Sequence, residues 1–323
     1  MKAFRAVRIL FGFFALTVPL MPVQAVLLRL SPKYARTFPH WYHRQVCRLL
    51  GIRFKIDGEV APDRPVLIVS NHVSWLDIPV ISAVAPVSFV AKKEVGGWPF
   101  VSSLARLQRT VFVDRQRRTA AAASANEIAD RLASGDKLVL FAEGTSSDGN
   151  RLLPFKTSLF AAAKPPHVSR RRDAADDAPL ASNPASDPGD AKGEISNDRQ
   201  AATAQSAVVQ TMAVCYTHLH GVPFERADRP LVGWFGDMEL GPHAWNLLAS
   251  GPLDVSISIG EPIPLQDFAD RKELARKTES EIRAQLVRML RGRPEISVEN
   301  VVTPMSLPAS KPRPQETTSR KWV

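Results

Sequence analysis

The sequence predicts an α/β fold, a mixed central sheet flanked by helices, with an N-terminal hydrophobic and amphipathic membrane-anchoring helical segment ahead of it. Three observations predict it. Short apolar runs, among them Val66–Val69, Thr110–Val113 and Lys137–Phe141, alternate with helical stretches, as strands buried on both faces do. Each of these runs ends in polar residues, and open α/β sheets take their ligands at the carboxyl ends of strands. Upstream, Ile9–Leu28 holds twenty residues without a formal charge, long enough to cross a bilayer core.

Charge places the anchor. The chain of 323 residues carries a net charge of +10. Its first 56 residues hold ten bases and no acid, which leaves 32 bases and 32 acids in the remainder. Basic charge this local suits an anionic membrane. A nucleic-acid-binding reading fails, because the excess sits beside the apolar run and nowhere else. Three readings of Ile9–Leu28 stand open. It is long enough to span; Pro19, Pro22 and Gln24 equally suit a kinked or shallowly inserted helix; and Val23-Gln24-Ala25 resembles a small-x-small cleavage site. Bases on both sides, Lys2, Arg5 and Arg8 against Arg29, Lys33 and Arg36, leave its orientation open.

Trp41–Leu50 is amphipathic, with Trp41 or Tyr42, Val46 and Leu49/Leu50 on one helical face and Arg44 and Arg48 on another. It suits a helix lying among headgroups or one packed on the core of the α/β domain. Strands are expected at 52–57, 66–70, 88–91, 110–113, 137–141, 208–217 and 255–259. Helices are expected from about Ser74, from Trp98-Pro99 to Leu107, over 117–134 up to Gly135, over 155–163, in a short turn-and-helix at 234–245, and over 267–291. Residues 165–206 carry five prolines, several acids and almost no aromatics, too little apolar surface to offset ordering. The chain therefore divides into a membrane-anchoring segment over 1–50, an α/β domain in two parts over 51–164 and 207–293, a disordered insertion over 165–206 and a disordered tail over 301–323. Cys47 and Cys215 form neither a disulfide framework nor a metal spacing. His218 and His220, two apart, have no third ligand at a supporting spacing, so no metal is expected.

The chemistry concentrates at the strand ends. His72 and Asp77 stand five apart after the 66–70 strand, too far for neighbours on a regular helix, so the pair belongs to a strand-to-helix turn. A carboxylate on one ring nitrogen fixes the tautomer and leaves the other nitrogen free to take a proton. A buried His satisfied by a nearby Asp looks the same in sequence. The run 137–141 ends in Ala142-Glu143-Gly144-Thr145-Ser146-Ser147-Asp148-Gly149, and 110–113 in Asp114-Arg115.

Taken together, these residues resemble the glycerolipid acyltransferases that include bacterial 1-acylglycerol-3-phosphate acyltransferase. The first motif, Asn-His-x4-Asp, is met by Asn71, His72 and Asp77; the second, an apolar strand ending in Asp-Arg, by Phe112 to Arg115. The third, Phe-Pro-Glu-Gly-Thr, is met by Phe141, Glu143, Gly144 and Thr145, and the resemblance covers about 52–163. It implies transfer of a fatty acyl group from a thioester, acyl-ACP or acyl-CoA, to the hydroxyl of a lysolipid, with no cofactor, at the inner membrane with the domain facing the cytoplasm. His72 is then the general base and Asp77 its orienting partner. Backbone N–H groups at the helix start after Asn71 are expected to meet the developing oxyanion. Glu143, Gly144 and Thr145 would meet the acceptor headgroup and Arg115 its anionic part, with a structural acid bracing its loop as the lesser reading of Glu143. Lys92 and Lys93 match a lysine the family often has beside the site, where they would face an anionic group, or else form a solvated turn.

Two departures bear on the acceptor. The third motif commonly reads Phe-Pro-Glu-Gly-Thr-Arg-Ser; here Ala142 replaces Pro and Ser146 replaces Arg. Arg109, Arg115, Lys156 or the Lys92-Lys93 pair would have to supply the missing cation for a phosphate. The run Glu143–Arg151 also resembles the branch that acylates lyso-ornithine lipid. The fourth motif, usually an apolar strand with Pro, has Met212-Ala213-Val214 instead. Lysophosphatidate, the commoner substrate, is the expected acceptor, with lyso-ornithine lipid the alternative. A non-catalytic membrane adaptor is the competing class, and it has no use for His72, Asp77 and Glu143 together.

Overall fold

The structure is a computed structural model that describes residues 2–114, 118–163 and 207–291. The expected insertion at 165–206, the tail at 301–323 and Arg115 lie outside the described residues.

Helices α1 (Lys2–Leu30) and α2 (Pro32–Leu50) form an N-terminal hairpin broken only at Ser31. Gly51, in the left-handed region, closes α2 by donating to the carbonyls of Arg48 and Cys47. β1 (Ile52–Asp57) and β2 (Val66–Ser70) follow, then α3 (Asp77–Val84), β3 (Ser88–Lys92), α4 (Val101–Leu107), β4 (Val111–Val113), α5 (Arg118–Ala133) and β5 (Lys137–Phe141). A 3-10 turn over Thr157–Ala163 takes the place of the helix expected at 155–163. After β6 (Val208–Leu219) come β7 (Val222–Pro223), α6 (Leu240–Ser250), β8 (Leu253–Ile259), β9 (Ile263–Pro264) and α7 (Arg271–Leu290).

The strands make one mixed sheet in the order β1-β8-β6-β2-β5-β3-β4, with β7 and β9 on β6. All neighbours along that path are parallel except β6 and β8. Alternation along β2 explains the layering. Val66 and Ile68 face a core shared with Cys47 of α2, Val80 and Ile81 of α3 and Leu247 of α6. Leu67 and Val69 face the opposite core, closed by Ile128 and Leu132 of α5 and Leu274, Ile282 and Leu286 of α7. Both faces are covered, which is why the central strands read as unbroken apolar runs.

The N-terminal hairpin is docked on this domain. α2 packs on α3: His40 Nδ1 lies 2.7 Å from the Ser82 carbonyl, His43 Nδ1 2.9 Å from Ser82 Oγ, and Val46 and Cys47 are buried. Core packing therefore accounts for that helix, although Trp41 stays open to solvent. α1 is tied at both ends. Arg5 donates to the carbonyls of Leu50 and Leu248, and Gln24 Nε2 donates to Ala35 (3.0 Å) and Leu107 (2.9 Å). The residue that interrupts the apolar run thus docks it. Among the described residues α1 is the helix long and apolar enough to cross a membrane, with a mean hydropathy of 1.9 over its best window. Its outer face exposes Phe4, Phe11, Phe14, Val18, Val26 and Leu30.

At the far end of the sheet, Asp136 gathers three arginines from three elements. Arg36 Nε stands 3.1 Å away, Arg109 pairs in two-pronged fashion at 2.7 and 3.1 Å, and Arg131 joins them. Arg109 precedes β4, at the amino end of a strand whose carboxyl end faces the site. It is spent there, so it does not supply the cation considered for the acceptor.

Candidate active site

The site is built at the carboxyl edge of β2. Past Ser70, which pairs with Met212, the Asn71 side chain continues the ladder: Nδ2 donates to the Val214 carbonyl at 3.0 Å and Oδ1 accepts from Val214 N at 2.8 Å. The amide thus stands in for a peptide unit and lets the chain leave the sheet at His72.

Asp77 then shapes the turn. Its Oδ2 accepts from His72 Nδ1 (2.7 Å), Val73 N (2.7 Å) and Ser74 N (3.0 Å), and its Oδ1 accepts from Tyr216 Oη (2.7 Å). Four donors satisfy a fully buried carboxyl group (0 % exposed), whose burial without partners would be costly. Because the two backbone groups bend back to this side chain, the helix begins at Asp77 rather than near Ser74. The same bonds correct the oxyanion expectation. The N–H groups of Val73 and Ser74 are taken by Asp77, and that of His72 by Glu143.

With Nδ1 on the carboxylate, the His72 ring stacks on Phe141 (centroids 4.0 Å, 17° apart) and leaves its side chain 20 % exposed. The opposite nitrogen is the available base. Ser74 is fully buried and its Oγ has no hydrogen-bond partner among the described residues, so it is not linked to the imidazole. The geometry is a dyad, not a Ser-His-Asp triad.

Glu143 does not present itself to a headgroup. It is 1 % exposed, with Oε1 accepting from His72 N and Oε2 from Leu153 N, both at 2.7 Å. Burial pushes its carboxyl up to about 7, against the two backbone donors that pull it down; the charges of Asp77 and Glu279 add to the rise. Of the two sequence readings, the bracing acid is the one this geometry supports. Gly144 turns the loop at φ +70°, a conformation glycine adopts without a Cβ penalty, and Thr145 beside it is exposed. Ser147 N donates to the His72 carbonyl at 2.9 Å, so the loop grips the His72 main chain on both sides.

Lys92 ends β3 exposed, and Val90 pairs with Leu140, which puts Lys92 at the level of Ala142 on the same edge. Lys93 is paired with Asp114 at 3.1 Å and Lys156 is exposed. His218 and His220 stand apart from the site: the first lies 3.0 Å from Thr217 Oγ1, and the second reaches the Ser250 carbonyl.

Sequence reasoning missed three contributors. Tyr216 is a hydroxyl inside a continuous apolar strand, and a buried phenol demands a partner; that was the available signal. Trp234 donates its N–H to the Val73 carbonyl (2.9 Å), while the Ser146 hydroxyl donates to the Trp234 carbonyl. Trp98, ahead of α4, meets Trp234 edge to face at 5.8 Å.

An oriented, partly exposed imidazole at the open edge of a mixed sheet, with no side-chain nucleophile bonded to it among the described residues, fits an α/β transferase. The comparisons carry this further. The acyltransferase family model matches residues 52–170. A lyso-ornithine lipid O-acyltransferase of Brucella abortus is 44 % identical over 86 % of this chain and 92 % of its own, and one of Rhizobium meliloti is 41 % identical over 85 % and 83 %. A 1-acyl-sn-glycerol-3-phosphate acyltransferase of Neisseria meningitidis is 39 % identical over 37 % of this chain and 48 % of its own. The chain belongs to the acyltransferase family. The crystal structure of the Thermotoga maritima 1-acyl-sn-glycerophosphate acyltransferase PlsC shares the fold, with a TM-score of 0.57 at 20 % identity over 91 % of this chain and all of that one. The chain is an acyltransferase.

Proposed function

We propose that the protein transfers a fatty acyl group from an acyl thioester, acyl-ACP or acyl-CoA, to the free hydroxyl of lyso-ornithine lipid. The observation that carries this acceptor is Ser146. Where the common motif has arginine, this chain has a hydroxyl turned onto the Trp234 carbonyl, which offers a phosphate no charge. The extent of similarity supports it too, since the lyso-ornithine lipid enzymes align over most of both chains and the Neisseria enzyme over little more than a third of this one. Lysophosphatidate, expected from the sequence alone, becomes the second choice.

In this reading the free nitrogen of His72 removes the proton of the acceptor hydroxyl as its oxygen attacks the thioester carbonyl. A C–O bond forms, the C–S bond breaks, and the proton passes to the departing thiolate. Asp77 holds the ring and balances the imidazolium, while Glu143 fixes the His72 main chain. Lys92 faces anionic parts of the substrates, with Lys93 steered by Asp114. No metal, nucleic acid or cofactor takes part. The bilayer is the third partner: α1 lies along the domain, held by Arg5 and Gln24, with its exposed phenylalanines in the lipid. An apolar groove of about 480 Å³ between Val23, Leu27, Phe38 and Trp41 extends that surface. The domain would face the cytoplasm at the inner membrane.

The test is membranes bearing the protein, given labelled acyl thioester and either lyso-ornithine lipid or lysophosphatidate. Lyso-ornithine lipid should be the better acceptor, and His72→Ala should abolish transfer with membrane association intact. Preference for lysophosphatidate would overturn the acceptor, and near wild-type activity of the variant would overturn the base.

A further inference from the structure

Ser146 leaves a phosphate unserved, but its hydroxyl is not idle. It fixes the carbonyl of Trp234, whose N–H is fixed in turn by the residue after His72. The main chain at Trp234 is thereby stitched to both motif blocks, and its indole Nε1 donates to the Met238 carbonyl at 2.8 Å. Across from it, Trp98 stands at 81° and 37 % exposed, the two centroids 5.8 Å apart. Trp98 follows the Lys92-Lys93 pair by one 3-10 turn over Lys93–Gly97. The two indoles are held nearly at right angles, edge to face, and both keep surface open to solvent, where the face of an indole carries negative potential. A cation is what such a corner attracts, and tryptophan attracts it best. The arginine commonly found at position 146 would put a positive charge on the segment bonded to Trp234, so its loss and this corner serve the same end.

We propose that Trp98 and Trp234 form an aromatic corner that receives the ammonium group of an amino-acid lipid headgroup, while Lys92 faces its carboxylate. The inference rests on lyso-ornithine lipid being the acceptor and adds the residues that recognise it. An ammonium on an indole face contributes about three- to thirtyfold in binding, depending on how far it is desolvated. The corner also explains how a site with basic neighbours accepts a zwitterion: the anion goes to the lysine and the cation to the rings.

The experiment compares lyso-ornithine lipid with the same lipid acetylated on its side-chain amine, in wild type, Trp98→Leu, Trp98→Phe and Trp234→Leu. Wild type should favour the native acceptor by about three- to thirtyfold in kcat/KM. That ratio should fall toward one in both leucine variants and be partly kept by Trp98→Phe. If the rings served only to rest on the membrane, both acceptors would fall together and the ratio would hold, which overturns the corner. So does a wild type indifferent to acetylation. Failure of wild type to use lyso-ornithine lipid at all would instead refute the acceptor assignment on which the corner depends.

Discussion

Replacing Glu143 with Gln separates the two things this residue does. Both of its oxygens accept backbone N–H groups at 2.7 Å, and a glutamine has only one oxygen to offer. Its NH₂ must face either His72 N or Leu153 N, leaving a buried donor unsatisfied at a cost of about 1–3 kcal/mol. The wild-type carboxyl, however, is itself held up at about 7 by burial, compared with an ordinary value of 4.5. A raised acid favours the protonated fold, so its contribution is full below about pH 4.5 and is lost as pH rises through about 7. The difference corresponds to about 3 kcal/mol, at about 1.4 kcal/mol for each pH unit. Glutamine cannot titrate. Thermal melts of both proteins in detergent should therefore show the variant less stable at pH 5, with the gap narrowing toward pH 8. At about 2–4 °C per kcal/mol, the Tm gap should shrink by about 6–12 °C. A gap that is the same at both pH values would refute the account of Glu143 as a desolvated brace, and one that widens with pH would reverse its sign.

Other perturbations follow from the same geometry. Tyr216→Phe deletes the donor on Asp77 Oδ1, a bond to a charged group worth about 1.5–3 kcal/mol. If that loss falls on the dyad, kcat drops about ten- to hundredfold with KM unchanged; unchanged kcat in steady-state assays would show that the phenol does not hold the acid. Asp136→Asn leaves Arg36, Arg109 and Arg131 without their counter-charge. Burial alone would raise this acid, but Arg109 and Arg131 outweigh it and hold it below the usual range. The variant should lose about 3 kcal/mol at neutral pH, read by melting, with little change in substrate preference. The wild-type share of this stability disappears only as pH falls through the lowered value. Ser146→Arg adds a cation and breaks the bond to Trp234, so the ratio of kcat/KM for lysophosphatidate over lyso-ornithine lipid should rise; an unchanged ratio would show that position 146 does not select the acceptor.

The fold was legible wherever burial on both sides dictated composition. β2 and β5 stand where their apolar runs place them, because strands covered on both faces have few polar positions to blur their ends, and β1 stands where its alternation of apolar and charged residues places it. The start of α3 was not, since Asp77 takes the N–H groups of Val73 and Ser74, and a side chain reaching back to the backbone leaves no trace in hydrophobic period. The N-terminal segment showed its hydrophobicity but not its docking, which depends on single polar contacts by Arg5 and Gln24 with residues far along the chain. At the site, His72 and Asp77 were legible as a pair because a short spacing sets their contact. Tyr216 was not, because its register on β6 relative to β2 is decided by the sheet. Glu143 was recognised as a residue, with the ligand reading favoured over the brace: whether a carboxylate faces a substrate or two peptide groups is settled by the path of the loop up to Leu153.

That loop joins two properties usually treated apart. Glu143 and Ser147 hold the amide and carbonyl of His72, and Ser146, between them, holds Trp234. Ser146, one of the two departures from the commoner third motif, thus sits between the two residues that hold the His72 main chain. A change of acceptor made here moves through the same short stretch of backbone that aims the imidazole. Misplacement of a reacting group by about 1 Å can cost about a hundredfold, so the loop can vary its headgroup contacts only where its grip on His72 is kept. In this chain the acid that grips His72 is kept while position 146 departs from the common motif, which is what the proposed change of headgroup under an unchanged reaction would require.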